Sequence, residues 1–110
     1  MHGGTVGMIL EVVTLEIREG QEAAFERDFV TAAALIRQSP GHLGHELQRC
    51  VEKPNRYVFL ARWTSIEAHT EGFRKSDLYP EWRRLLHHYY LPTPTVEHYR
   101  LIHEHPISQG

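Results

Sequence analysis

Residues 39–82 read SPGHLGHELQRCVEKPNRYVFLARWTSIEAHTEGFRKSDLYPEW, and the order of breaks and runs in this stretch decides the fold. Ser39-Pro40-Gly41 stops the preceding element and opens a strand. His42 to Val51 and Arg56 to Trp63 read as two strands joined by Glu52-Lys53-Pro54-Asn55. Proline fixes φ in such a turn, and the asparagine side chain bonds its own backbone. Thr64-Ser65-Ile66-Glu67 matches a capping box and opens a short helix. Gly72 and the Lys75-Ser76-Asp77 segment break that helix, and Pro80 suits the first turn of the next one. In the second strand Tyr57, Phe59, Ala61 and Trp63 share one face, with Val58, Leu60 and Arg62 on the other. In the first strand the same alternation places His42 and His45 on opposite faces. Glu46 and Gln48 make one face of that strand polar, as a subunit interface or as one wall of a site.

Working outward, Met8 to Ile17 reads as a strand. Ile9, Val13, Leu15 and Ile17 share a face on which Glu11 is the exception, while Met8, Leu10, Val12 and Thr14 form the other. Both faces are apolar, so both need cover. Gly20 ends the strand. Gln21 to Gln38 reads as a helix with Phe25, Phe29, Ala33 and Ile36 at helical spacing. Beyond Pro80, Trp82, Leu85, Leu86 and Tyr89 form an apolar stripe, Leu91-Pro92-Thr93-Pro94 ends the helix, and Thr95 to Ile102 reads as the last strand. The order is β-α-β-β-α-β. It predicts an α+β, ferredoxin-like unit with a four-stranded antiparallel sheet and helices on one face. The uncovered sheet face then calls for a second layer, and an identical subunit supplies one, so a homodimer through the sheet faces is expected. Residues 8–102 form the domain, residues 1–7 read as a lead-in, and residues 103–110 as a loose tail.

Composition narrows the partners. The chain has 110 residues, enough for one domain with a modest core. The formal net charge of -2, with no basic stripe, argues against nucleic acid or an anionic membrane surface. The apolar runs are too short to span a bilayer, and residues 1–7 carry neither the charged nor the apolar region of a signal peptide. Cys50 is the single cysteine, which rules out an intrachain disulfide and fits a reducing cytoplasm. Cys50 has no activating neighbour in sequence and reads as a small buried residue. There are nine histidines, but neither HExxH nor CxxC is present, so no metal site is expected.

The run from Pro40 to Ser76 resembles the antibiotic biosynthesis monooxygenase domain family. The matching motifs are Pro40-Gly41, Gly44-His45-Glu46-Leu47, Asn55-Arg56-Tyr57 and Trp63, and the likeness extends over residues 8–102. It implies a dimeric α+β barrel with a pocket inside each subunit, between sheet and helices. It also implies oxidation of a small aromatic, polyketide or quinol substrate by molecular oxygen, without metal, flavin or haem. An electron-rich phenolate can itself reduce oxygen, so the protein needs to supply a cavity, a proton acceptor and exclusion of water. A haem-degrading branch of the family uses an Asn, a Trp and a His where this chain has Val13, Gly72 and Trp82, which argues against that route. A further branch acts on phosphorylated signalling molecules, and no clustered basic phosphate site is evident here. The alternative to an enzyme is a non-catalytic dimer that binds a small molecule, haem among the choices.

Within that frame, His98 on the last strand is the first candidate proton acceptor and His69 on the short helix the second. Trp63, Tyr79 and Trp82 are the candidate substrate contacts, although for Trp63 core packing under the helix is the favoured role. His87 and His88 lie near a helix C-terminus, where a cation complements the dipole. Glu46 and Arg62 are placed to pair across the hairpin.

Overall fold

The computed structural model describes residues 8–108, so the lead-in expected at residues 1–7 and the last two residues of the tail lie outside the described residues. The elements are β1 (Ile9–Glu16), α1 (Glu22–Ile36), β2 (His42–Arg49), β3 (Arg56–Trp63), a π-helical turn (Ala68–Phe73), α2 (Leu78–Leu86), a 3₁₀ turn (His87–Tyr89) and β4 (Thr95–Arg100). The four strands form one antiparallel sheet in the order β2-β3-β1-β4. This is the α+β, ferredoxin-like arrangement that the β-α-β-β-α-β order predicts, with the helices covering one face.

Strand alternation builds the core. Ile9, Val13, Leu15 and Ile17 point to the helices, as do Tyr57, Phe59, Ala61 and Trp63, and all eight are buried. Helix α1 buries Phe25, Phe29, Ala32 and Ile36 against them, and α2 adds Trp82 and Leu86. Each large apolar side chain so buried contributes roughly 1.5–3 kcal/mol. Phe25 touches Tyr57, Tyr89 and Phe29 with centroids 5.0, 5.8 and 6.0 Å apart. The rim of this core is tied down by hydrogen bonds from Tyr57 to Glu26 and from Tyr89 to Asp28.

Three local expectations change. First, His42 and His45 share a face. An irregularity between His42 and Gly44 leaves Leu43 without a partner on β3, because His42 faces Trp63 and Gly44 faces Arg62. The bulge resets the alternation, so His45, Leu47 and Arg49 turn toward the helices and Glu46 and Gln48 turn away. The two imidazoles stand 3.0 Å apart, Nε2 to Nδ1. Second, the helix after Trp63 is capped by Ser65, whose Oγ accepts the Ala68 N–H at 3.0 Å, rather than by a Thr64–Glu67 box. It continues as a π turn, closed by an Arg74 N–H bond to the His69 carbonyl at 3.0 Å. Third, Cys50 lies past the end of β2, is only partly buried, and its Sγ accepts the Lys53 N–H. Glu46 and Arg62 do pair, at 3.6 Å, but both are about half exposed and add little stability.

Gly41 joins the π turn to the sheet. Its φ is +88°, and a Cβ placed there would lie 2.6 Å from the Ala68 Cβ and 2.8 Å from the Thr64 Oγ1. The close approach lets the Gly41 carbonyl accept the Thr64 N–H at 2.9 Å. Gly41→Ala is expected to cost roughly 1–3 kcal/mol, from overpacking and left-handed backbone strain. Urea unfolding of the variant checks this, and an unchanged midpoint would contradict it.

A buried carboxylate and imidazole relay beside an aromatic cleft

Glu11 is the one acidic residue on the inward face of β1, and it is only 5% exposed. A carboxyl group in such a place needs partners. Trp63, at the end of β3, donates its indole Nε1–H to Glu11 Oε1 at 3.0 Å. His69, on the π turn, places Nε2 3.4 Å from Glu11 Oε2. The other His69 nitrogen, Nδ1, lies 2.8 Å from Nε2 of His98 on β4. The His69 ring also stacks on Trp63, with centroids 5.3 Å apart and planes 27° apart. Pairing of β1 with both neighbours sets this cluster, because Glu11 faces Ala61 on one side and His98 on the other.

Burial fixes the charge state of the cluster. It pushes the Glu11 carboxyl up to about 7, against the opposing pull of the Trp63 hydrogen bond and the Arg74 charge. Burial also pushes His69 down to about 3, with Arg74 and His98 adding to the shift. His98 is lowered by the same burial effect and by Arg74. Glu11 and His69 therefore both move toward their neutral forms, so their contact near neutral pH is a proton-sharing one rather than an ion pair. With Glu11 protonated, the chain of bonds runs Glu11 to His69 to His98. With Glu11 ionised, it runs the other way. Passing one proton along the line interconverts the two states. His98 is only partly buried and sits on the edge strand β4, so the line ends near solvent.

Glu11 and His69 form part of the wall of a cleft of about 170 Å³ between the sheet and the helices. Val13, Leu15, Phe29, Phe59 and Phe73 supply apolar walls, and Tyr79, Trp82, His87 and Tyr90 supply amphipathic ones. An engineered void of about 150 Å³ holds benzene, so this space suits one aromatic ring. The hydroxyl groups of Tyr79 and Tyr90 make no hydrogen bond among the described residues, which leaves them free for a ligand. Burial raises Tyr90 above the usual phenol range, with help from Tyr79 and Glu11, so it stays a donor.

The sequence candidates divide. Tyr79 and Trp82 line the cleft, and His69 reaches it. Trp63 is fully buried behind Glu11 and is not part of the wall, and His98 stands behind His69. His87, read as a partner of the helix dipole, also lines the cleft. Glu11, Arg74 and Tyr90 were missed. A single carboxylate interrupting an apolar strand face was the available sign for Glu11. Among the described residues no group of three or more His, Cys, Asp or Glu side chains is arranged to hold a metal ion, and no helix is long and apolar enough to cross a membrane.

The sequence profile of one family, antibiotic biosynthesis monooxygenase, matches residues 8–85. This chain belongs to the antibiotic biosynthesis monooxygenase family. It is 45% identical over 93 residues to protein YczJ of Bacillus subtilis, covering 84% of this chain and 98% of that protein. A solved family structure from Bordetella bronchiseptica superposes with a TM-score of 0.84 at 32% identity, covering 87% of this chain and 98% of the other. SnoaB, a cofactor-independent oxygenase from Streptomyces nogalater, shares the fold with a TM-score of 0.72 at 24% identity, covering 94% and 99%. Two family enzymes match over shorter stretches. They are a haem oxygenase (mycobilin-producing) of Mycobacterium tuberculosis, 32% identical over 60 residues, and deoxynogalonate monooxygenase of Streptomyces nogalater, 34% identical over 61 residues. These matches cover 54% and 56% of this chain, and 57% and 52% of those enzymes.

The raised Glu11 pKa gives a stability prediction. The folded protein holds the Glu11 proton up to about pH 7, whereas the unfolded chain releases it near 4.5. Between those values the folded state binds more protons, so this group's contribution to stability falls as pH rises. The full effect is on the order of 3 kcal/mol. Glu11→Gln removes it. The stability of the variant relative to the wild type should therefore rise between pH 4.5 and 7.5, as read by thermal unfolding at several pH values. A difference independent of pH would refute the assignment.

Proposed function

We propose that this protein is a cofactor-independent monooxygenase acting on a small aromatic, polyketide or quinol substrate, with Glu11 as the proton acceptor. The observation that carries the reading is a carboxyl group poised near neutrality on the wall of an aromatic cleft, with a line of two histidines behind it. A base titrating near the working pH best combines availability with basicity. Glu11 takes a proton from the substrate's phenol or activated C–H group, and the resulting anion is the electron donor to oxygen. Oxygen bonds to the substrate carbon as a peroxide anion, which takes the captured proton back from Glu11. The O–O bond then breaks as the remaining hydrogen on that carbon leaves with hydroxide as water, so one oxygen atom stays as a carbonyl and the substrate supplies all four electrons. His69 and His98 hold the captured proton in the interval and return it. Apolar walls exclude bulk water and lower the dielectric around the anion. The similarity to SnoaB and to deoxynogalonate monooxygenase supports the same class of reaction.

This reading shifts the role first given to His98 and His69 from acceptor to relay, and that of Trp63 from substrate contact to support for the acceptor. It also disfavours haem as the ligand. The cleft falls below the roughly 300–1,000 Å³ typical of sites for drug-sized ligands. Oxygen uptake with a panel of single-ring hydroquinones, without added cofactor, tests the activity. The rate should rise with pH through about 7 as Glu11 ionises. Glu11→Gln should lower it by about 100-fold or more, the usual weight of a general base. No uptake with any substrate, together with a Soret shift on adding haemin, would favour the ligand-binding alternative.

The homodimer through the sheet faces belongs to the same proposal. Leu10, Val12, Val58 and Leu60 lie on the face away from the helices and are only partly buried, and Tyr99 and Leu101 are about half exposed. A stripe of this kind across a sheet suits a self-complementary contact. Light scattering should give twice the chain mass, and Leu60→Glu should return the mass to that of a single chain.

A further inference from the structure

Arg74 is the one permanent cation among the residues lining the cleft, just as Glu11 is the one carboxyl. Its position follows from the π turn. A wider turn brings residues four and five positions apart onto one side. The i→i+5 bond from Arg74 N–H to the His69 carbonyl shows that geometry, and His69, Phe73 and Arg74 all face the cleft as a result. The guanidinium makes no ion pair or side-chain hydrogen bond among the described residues. Arg49, Arg56, Arg62 and Arg84 each engage a glutamate, and of the described arginines without an ion pair Arg74 alone lines the cleft. Arg74 is exposed whereas Glu11 is buried, so the cation stands at the mouth and the acid deeper in. Its field nevertheless reaches Glu11, His69 and His98.

We infer that Arg74 selects substrates that carry an acidic group, and that the preferred ligand is an aromatic acid whose carboxylate docks on Arg74 while its hydroxylated ring enters the cleft. The inference deepens the proposed activity and rests on it for the identity of the ring. The planar guanidinium offers paired donors that match a carboxylate. A partner at this position supplies the hydrogen bonds that Arg74 does not make within the protein. Arg74 in turn balances the negative charge that the ligand brings toward Glu11. The Tyr79 and Tyr90 hydroxyls and His87 remain to bond other oxygen atoms on the ring.

The test compares 2,5-dihydroxybenzoate with its methyl ester, which differ in one charge. Binding to the full-length chain is read by quenching of tryptophan fluorescence, since Trp82 lines the cleft. The wild type should bind the acid roughly tenfold more tightly than the ester, the weight of one charge-assisted contact. Arg74→Gln should abolish the preference, and Arg74→Lys should keep part of it. Raising the salt concentration should weaken the acid and leave the ester unaffected, a check that needs no variant. Equal binding of acid and ester, a preference that survives Arg74→Gln, or no binding of either compound would overturn the inference. Oxygen uptake is followed in the same samples. An Arg74-dependent preference without uptake leaves the binding assignment standing and sinks the catalytic one, whereas uptake with both compounds at equal affinity does the reverse.

Discussion

The site depends on one constraint: a carboxyl group placed on an apolar strand face must find partners or be expelled. Glu11 occupies a position whose neighbours on the same strand are Ile9, Val13 and Leu15, all buried. Its partners come from three different elements: the indole of β3, the imidazole of the π turn and, through that imidazole, the histidine of β4. Leaving one such group unpaired costs about 1–3 kcal/mol, and more when it is charged. The sheet register, the position of the π turn and the approach at Gly41 all bring those partners to one point. The same burial sets the proton affinity, so the structural requirement and the chemical property have a single origin.

Much of the fold was legible in the sequence because its signals are local. The Lys53-Pro54-Asn55 turn, the Ser39-Pro40-Gly41 break and the two-faced strands gave the element order, and that order left few topologies. The site was less legible because it joins residues 11, 63, 69 and 98, and only the sheet register and the packing of the π turn bring these together. Glu11 was visible as an exception to a pattern, but the pattern could not say which residues answer it. Trp63 stood out by type, and its orientation toward β1 rather than toward the cleft depends on packing.

One misreading and one omission share a cause. Period-two counting separates His42 from His45, and helical counting does not bring Arg74 beside His69. In each case the backbone departs from the regular repeat, by an extra residue at Leu43 and by a wider turn after Ala68. Sequence periodicity assumes an unbroken repeat, so it fails where a bulge or π turn re-aims side chains.

The cleft is built from two parts of the chain with different duties. The proton line stands on the sheet at Glu11, Trp63 and His98, with His69 alone contributed by the π turn. Most of the residues that a ligand's outline would meet, from Phe73 through Tyr79, Trp82 and His87 to Tyr90, belong to the helical and connecting segments between β3 and β4. Shape and reactivity are thus separable by position. Substitutions confined to residues 78–94 can retune which molecules fit while leaving the acid–base apparatus in register, which makes this segment the natural target for redirecting the protein to new compounds.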